Sequence, residues 1–146
     1  VCDRRLRLPL RSKLVRTAEM QTVWVITTAT AVEEAASHAT ELREAGVMVH
    51  VTEDEMLSPA TILKILGENG LTRVLIEAGP LLSAAFLEAR MVDRLYHYRA
   101  PTPLGNAGAS AIPALEPALN GLAPWRVTSL GVDLLYEYEL GSCLPD

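Results

Sequence analysis

The 146-residue chain has few of the side chains from which metal sites and disulfide frameworks are built. Its two cysteines, Cys2 and Cys143, lie near opposite ends without zinc-type spacing, so we interpret them as unpaired thiols of a reducing cytoplasm. The three histidines, His38, His50 and His97, are far apart, and none has a partner at metal-ligand spacing. The sequence therefore predicts a cytoplasmic protein without a metal site, and leaves a Cys2–Cys143 disulfide open.

Long apolar runs and a leader sequence are also missing. No apolar run reaches membrane-spanning length, so no membrane partner is expected, and the amino-terminal residues VCDRRLRLPLRSK lack the apolar region of a signal peptide. Apolar residues still make up 49% of the chain, which is enough for one globular domain. Because the chain starts without methionine and residues 1–3 are typical of a strand end, we expect residues 1–146 to be a single, N-terminally truncated domain.

Positive charge is concentrated at the amino terminus. The chain has a net charge of −5, yet residues 1–16 carry six basic side chains against the single acid Asp3. A nucleic-acid-binding domain is expected to be basic over a whole surface, so we expect no nucleic-acid partner. The local basic segment fits either one bound phosphate group or a solvated surface.

Strand and helix patterns alternate over the first 90 residues, which predicts a parallel sheet. The strand patterns cover residues 22–27, 47–51 and 73–77, and the helix patterns cover residues 30–45, 59–68 and 80–90. After residue 92 the sequence predicts a strand at 94–100, a long irregular connection at 101–124, and a β-hairpin from 125–130 and 133–140. We therefore predict an α/β fold with a mostly parallel, doubly wound sheet and a C-terminal antiparallel hairpin.

The most informative stretch is RVLIEAGPLLSAAFLEAR, residues 73–90. Its apolar strand pattern ends at Glu77, Gly79 lets a ligand approach the backbone, and Pro80 suits the first position of a helix because it has no N–H group. The free N–H groups of a helix start form an anion site, most often used for phosphate. With the adjacent carboxylate, this turn suggests a nucleotide ligand, and a joint without any ligand is an equal alternative.

Other polar residues are expected at the same edge of the sheet. Ligands of open α/β sheets lie outside the carboxyl ends of strands, where both Glu77 and Arg4 are predicted to lie, so we expect the two to line one cleft. Ser83 lacks the G-x-S-x-G context of a serine hydrolase, and we interpret it as a residue of the first helical turn whose hydroxyl group contacts phosphate.

Four segments in order resemble the reductase domain of riboflavin biosynthesis, the C-terminal half of the bifunctional deaminase-reductase, which has a dihydrofolate-reductase-like fold. VCDRRLRLP at 1–9 is similar to the family pattern V-x-D-x-x-x-R-x-P, and VLIEAGPLLSAAFLEA at 74–89 to V-E-[AG]-G-P-x-L. MVDRLYHYRAP at 91–101 is similar to V-D-E-L-x-x-Y-x-A-P, and Leu104-Gly105 to the start of a glycine-rich loop. The second and third segments together are the specific ones.

The resemblance implies reduction of 5-amino-6-(5-phosphoribosylamino)uracil to the ribityl product, with hydride from NADPH reaching C1′ of the ring-opened ribose. It implies that Glu77 contacts the substrate and that Arg4, where the family often has serine, contacts the cofactor. It also implies that the Gly-Pro turn and first helical turns bind the NADP phosphates, through Gly79, Pro80, Leu81, Leu82, Ser83, Ala84 and Ala85. No catalytic acid is carried over.

The resemblance also has a gap and leaves alternatives. The family domain starts earlier, with a strand bearing an S-x-D-G-[KR] segment, and nothing in this sequence corresponds to it, so the isolated chain is expected to lack part of the substrate pocket. The family commonly forms homodimers, and a deaminase is expected upstream. Two alternatives stay open: a non-catalytic nucleotide-binding or assembly module of the same fold, and a related pteridine or folate-type reductase.

Overall fold

The computed structural model describes residues 1–102 and 112–141. The chain divides into two compact units, Val1–Arg73 and Val74–Asp146. The predicted Leu104-Gly105 loop start and Cys143 lie outside the described residues, whereas Cys2 is a free thiol.

The first unit is built on parallel strands. Strand β1 (Trp24–Thr28) pairs in parallel with β2 (Met48–Thr52), as predicted. Residues 1–3 run along the other edge of β1, because the Ile26 N–H group donates to the Val1 carbonyl oxygen at 2.8 Å and the Asp3 N–H group donates to the Ile26 carbonyl oxygen at 2.9 Å. Residues 1–3, predicted to end a strand, therefore form a parallel bridge to β1 and not a strand of their own.

Four helices belong to the first unit. They are α1 (Lys13–Arg16), α2 (Ala29–Glu34), α3 (Ala36–Glu44) and α4 (Pro59–Glu68). The predicted single helix at 30–45 is divided at Ala35, whose φ and ψ of −125° and 43° are not helical. Helix α4 begins as predicted, with the Ser58 hydroxyl oxygen accepting the Thr61 N–H group at 3.1 Å. Helix α1 was not predicted, since four residues are too few to show a helical period.

A cluster of buried apolar side chains stabilises the first unit. Val23 and Val25, at the start of β1, share this cluster with Ala31 of α2 and with Ala39 and Leu42 of α3. The buried members of the cluster are Leu6, Val15, Ala18, Val23, Val25, Ala31, Ala39, Leu42 and Val47.

The second unit contains an antiparallel sheet of three strands. Helix α5 (Pro80–Glu88) is followed by β3 (Arg94–Arg99), α6 (Leu115–Leu119), β4 (Arg126–Leu130) and β5 (Asp133–Glu139). The strand order is β3-β5-β4, so the predicted hairpin is confirmed and β3 extends it. Gly131 makes the hairpin turn at φ 68°, a left-handed conformation that glycine adopts readily. Helix α6 lies within the predicted irregular connection and was missed.

The predicted strand at residues 73–77 is wrong. Residues 71–79 belong to no helix or strand, and residues 72–77 make no backbone–backbone hydrogen bond among the described residues. The side chains of Val74 and Leu75 are 44% and 72% exposed. An apolar, β-branched sequence favours extended backbone, but a strand forms only where its N–H and C=O groups find a partner strand.

The predicted α/β class is confirmed by these elements, with parallel pairing in the first unit and antiparallel pairing in the second. Throughout residues 1–102 and 112–141, every helix is too short or too polar to cross a membrane.

Candidate functional site

The amino terminus of α5 has the features of an anion site. Gly79 is its N-cap residue and provides no side-chain hydrogen bond, Pro80 occupies the first turn, and that turn contains no acidic residue. The Ser83 N–H group donates to the Gly79 carbonyl oxygen at 3.1 Å. The N–H groups of Leu81 and Leu82 have no hydrogen-bond partner within the described part of the chain, so two donors and the positive end of the helix dipole face outward.

Gly79 leaves open space at this helix start. A Cβ atom built on Gly79 would meet no atom within 4 Å, and its φ and ψ of −67° and 171° are extended values that any residue adopts. The backbone therefore does not require glycine here. What glycine does provide is room for a ligand to approach the Leu81 and Leu82 N–H groups, which is the fit that a pyrophosphate requires.

The remaining predicted phosphate-binding residues have different surroundings. Leu81 is 85% exposed, Leu82 and Ala85 are half-buried, and Ala84 is buried in the core of the second unit with Leu87. These four side chains are apolar and carry no hydrogen-bond donor. At these positions a phosphate would therefore be bound by backbone N–H groups.

The Ser83 hydroxyl group already has a partner. It donates to the Ala78 carbonyl oxygen at 3.2 Å. The hydroxyl proton must leave this carbonyl before it can be donated to a phosphate, so the predicted contact through Ser83 requires an exchange of hydrogen bonds.

Glu77 lies immediately before this helix start and is exposed. Helix α5 has no side-chain cap, and the Glu77 carboxylate makes no hydrogen bond or ion pair with the described residues. The Glu77 side chain therefore does not cap α5 in this structure. The carboxylate is available to accept hydrogen bonds from a ligand.

In the first unit, Arg4 directly follows residues 1–3, which run parallel to β1, and it lies near the carboxyl end of β1. The Thr28 hydroxyl group donates to the Arg4 carbonyl oxygen at 3.3 Å and also accepts the Ala31 N–H group at 3.2 Å at the start of α2. The Arg4 guanidinium group is exposed, and its contact is with the sulfur of Met56, 3.7 Å away, in the loop after β2. A thioether is a weak acceptor, so the guanidinium charge stays available for an anion.

Thr28 and Met56 were not identified from the sequence. Thr28 is the last residue of β1 and Met56 lies in the loop after β2, so position at the carboxyl ends of these strands is the signal by which they could have been found. The same loop carries the exposed acids Glu53, Asp54 and Glu55, which oppose anion binding nearby. Asp54 is engaged by the Thr61 hydroxyl group, which donates to its carboxylate at 2.6 Å.

Other parts of the described structure are less suited to binding a phosphate group. An open pocket of about 640 Å³ is lined by Glu116, Pro117, Leu119, Asn120 and Gly121, none of which is a predicted site residue. Residues 1–102 and 112–141 contain no group of three or more histidine, cysteine, aspartate or glutamate side chains placed to hold a metal ion.

Comparison with known sequences identifies a family. Residues 1–136 match the family described as the RibD C-terminal domain. The chain is 30% identical over 142 residues to the riboflavin biosynthesis protein RibD of Aquifex aeolicus (strain VF5), covering 95% of the chain and 37% of that protein. It is also 30% identical over 155 residues to the RibD protein of Actinobacillus pleuropneumoniae, covering 99% of the chain and 39% of that protein. The chain thus spans less than two fifths of these relatives.

Comparison with solved structures supports the fold. A pyrimidine reductase-like protein from Corynebacterium diphtheriae superposes with a TM-score of 0.74 at 19% identity, covering 99% of this chain and 60% of that one. At this identity the likeness bears on the fold alone, and it confirms the predicted dihydrofolate-reductase-like α/β fold.

Proposed function

Because the chain belongs to the RibD C-terminal domain family, we propose that it is an NADPH-dependent reductase domain of riboflavin biosynthesis. Its substrate is 5-amino-6-(5-phosphoribosylamino)uracil and its product the ribitylamino compound. Hydride from the cofactor adds to C1′ of the ring-opened ribose. The protein contributes binding and orientation, since the nicotinamide carries the hydride chemistry.

The start of α5 is the observation that carries this proposal. Two outward N–H donors, a first turn without acids and open space at Gly79 suit a cofactor pyrophosphate. Pro80 to Ala85 then belong to the phosphate-binding turns, with the donors supplied by the backbone of Leu81 and Leu82.

Glu77 is proposed to orient the substrate. Its carboxylate is exposed, lacks a partner within residues 1–102 and 112–141, and directly precedes the phosphate-binding turn. A carboxylate accepts hydrogen bonds from the N–H and O–H groups that an aminouracil and a ribose chain present. The catalytic acid is not assigned to any residue.

Arg4 is proposed to bind the 2′-phosphate that distinguishes NADPH from NADH. Its guanidinium group is exposed, and its charge is not neutralised by an ion pair with the described residues. A guanidinium group presents a planar fork of donors that matches phosphate oxygens, which makes arginine a stronger discriminator here than the serine common in the family.

The domain boundaries belong to the proposal as well. We place residues 1–146 in a longer cytoplasmic polypeptide that carries a deaminase upstream and forms a homodimer. Two observations support this. The relatives are more than twice as long as the chain, and within residues 1–102 and 112–141 the apolar segment at 73–77 has no strand partner, although its sequence favours one.

Cofactor binding tests the proposal. NADPH and NADH are titrated calorimetrically into the longest soluble polypeptide that contains residues 1–146. We expect NADPH to bind more tightly, by about tenfold for one phosphate–arginine contact on the scale of charged hydrogen bonds. Equal affinities, or no binding of either cofactor, would contradict the proposal.

A non-catalytic nucleotide-binding module is the second candidate for the 146 residues alone. The unpaired 73–77 segment favours it, because part of the cleft next to Glu77 is then incomplete. NADPH affinity without turnover of any aminouracil, even in the longest polypeptide, would support this candidate. Turnover of a dihydropteridine would instead support a pteridine-type reductase.

A further inference from the structure

We propose that Asp3 is a positioning residue that sets the preference for NADPH by fixing the backbone from which Arg4 projects. This inference rests on the proposed function, because it concerns how the cofactor-binding arginine is held. Asp3 does not itself contact the cofactor. It acts through residues 4–8, here called the arginine loop.

Asp3 directly precedes the arginine loop and is hydrogen-bonded to its middle and to its C-terminal end. One carboxylate oxygen of Asp3 accepts the N–H groups of Arg7 and Leu8 at 2.5 Å and 2.7 Å. Its carbonyl oxygen accepts the Leu6 N–H group at 3.0 Å, and its own N–H group donates to Ile26 of β1 at 2.9 Å. A single residue therefore closes the loop and ties it to the sheet.

The conformation of the arginine loop is one that a leucine rarely adopts. Leu6 has a φ of 49°, in the left-handed region, while its side chain is 2% exposed in the core of the first unit. A non-glycine residue persists in this region where surrounding contacts over-determine the backbone. The hydrogen bonds to Asp3 and the buried Leu6 side chain are such contacts.

Two further contacts hold the same loop. The Nε2 atom of His38 lies 2.9 Å from the Leu8 carbonyl oxygen. The Thr28 hydroxyl group donates to the Arg4 carbonyl oxygen at 3.3 Å. Every one of these contacts engages backbone atoms of the loop, and none engages the Arg4 guanidinium group, which stays exposed.

The Asp3 carboxylate is occupied by backbone donors and forms no ion pair with Arg4. Removing it should therefore leave the charge of Arg4 intact and change its position. Pre-organised donors bind more tightly than mobile ones, because the loss of conformational freedom occurs on folding and not on binding. The contribution of Arg4 to NADPH affinity should fall when the loop is released.

The ratio of the dissociation constants of NADPH and NADH tests this inference. A general structural defect weakens both cofactors alike, whereas misplacement of Arg4 weakens NADPH alone. The variants are Asp3→Ala, Asp3→Asn, Arg4→Gln and the double variant Asp3→Ala/Arg4→Gln, with Arg7→Gln as control. Arg7→Gln removes an exposed charge of the same loop and keeps the N–H group that Asp3 binds. Affinities are measured by calorimetry, and thermal melting is followed in parallel.

We expect Arg4→Gln to abolish the NADPH preference, Asp3→Ala to reduce it at least threefold, and Arg7→Gln to leave it unchanged. Asp3→Asn keeps one side-chain acceptor and should fall between wild type and Asp3→Ala. The double variant should equal Arg4→Gln, because Asp3 acts through Arg4. If Asp3→Ala does not fold, Asp3→Asn serves for the comparison.

Two results would overturn the inference while the proposed function stands. In one, Asp3→Ala or Asp3→Asn retains the wild-type ratio although Arg4→Gln abolishes it. In the other, the Asp3 variants weaken both cofactors by the same factor. A wild-type polypeptide that binds neither cofactor, or binds both equally, would overturn the proposed function together with this inference.

Discussion

The hydroxyl group of Ser83 donates a hydrogen bond to the carbonyl oxygen of Ala78 at 3.2 Å. This bond ties the first turns of α5 to the residue just before the helix cap. The protein's own hydrogen bonds therefore contribute to holding the turn around Gly79. Substitutions that fill the space at Gly79 should act on ligand binding more than on folding.

Gly79→Val should block the cofactor pyrophosphate. The added side chain would occupy the open space in front of the Leu81 and Leu82 N–H groups, whereas the extended backbone of Gly79 accepts a β-branched residue. We expect a melting temperature close to that of wild type and at least a tenfold loss of NADPH affinity, measured by calorimetry.

Gly67→Val is the matched control for this substitution. A Cβ atom at Gly67, in α4, also meets no atom within 4 Å, and the position is not a predicted ligand contact. It should leave NADPH affinity unchanged. A folded Gly79→Val protein that binds NADPH as tightly as the Gly67→Val control would rule out this turn as the phosphate site.

Glu77→Gln should separate substrate recognition from cofactor binding. The carboxylate caps no helix and forms no ion pair within the described residues, so its neutralisation should leave melting and NADPH affinity nearly unchanged. In a polypeptide that completes the domain, kcat/KM for the aminouracil should fall roughly ten- to hundredfold, the scale of one charged hydrogen bond at about 1.5–3 kcal/mol.

Glu88→Gln is the control for charge removal, because Glu88 is an exposed acid at the other end of α5. Its kinetics should match wild type. Should Glu77→Gln retain full kcat/KM while the melting temperature falls, Glu77 would be a structural residue and the assignment to the substrate would be wrong.

Much of the fold could be predicted from local sequence. Strands β1 and β2 follow from β-branched residues, α4 from the Ser58 cap and the proline after it, and the hairpin from its glycine turn. Prediction from local sequence failed where the secondary structure depends on a strand that is distant along the chain. Residues 73–77 have strand composition, yet they pair with no strand in the described part of the chain and so form none there.

Backbone amides of residues 73–77 should gain protection when the domain is completed. In the 146-residue chain they make no backbone hydrogen bond with the described residues, and we expect them to exchange with solvent close to the intrinsic rate. Hydrogen exchange followed by mass spectrometry should show protection of this segment in the longer polypeptide, with α4 as an internal reference. If the amides of residues 73–77 exchange equally fast and without protection in both polypeptides, the proposal that the domain is truncated would be contradicted.

His97 should make the protein less stable in mild acid. Burial holds the pKa of the His97 imidazole below 6.5, the Arg99 cation lowers it further, and Glu116 acts in the opposite direction. The unfolded chain then binds more protons between the folded pKa and 6.5. The contribution of neutral His97 to the free energy of unfolding is therefore fully present above about pH 6.5, and it is lost as the pH falls from that value toward the pKa of His97 in the folded protein.

The substitution His97→Leu removes this titration. Urea unfolding at pH 5.5 and 7.5 should show a smaller loss of free energy of unfolding on acidification for His97→Leu than for wild type. An equal loss in both proteins would show that His97 does not titrate differently on folding.

The candidate site was predicted in part. The sequence pointed to the glycine turn and to Arg4 because a motif covers each of them, and their ligand contacts stay predictions. The geometry of the arginine loop could not be predicted from the sequence. The left-handed conformation of Leu6 and the hydrogen bonds from Arg7 and Leu8 to Asp3 arise from packing, and no local sequence pattern indicates them. The exposure of Glu77 was also missed, because it follows from the absence of a partner for residues 73–77.

Transfer of a labelled hydride tests the central claim most directly. The longest soluble polypeptide containing residues 1–146 is incubated with 5-amino-6-(5-phosphoribosylamino)uracil and NADPH that carries deuterium at its transferable position. We expect a ribitylamino product with one deuterium atom at C1′, detected by mass spectrometry and NMR. NADPH binding without any deuterated product would contradict the assignment as a reductase.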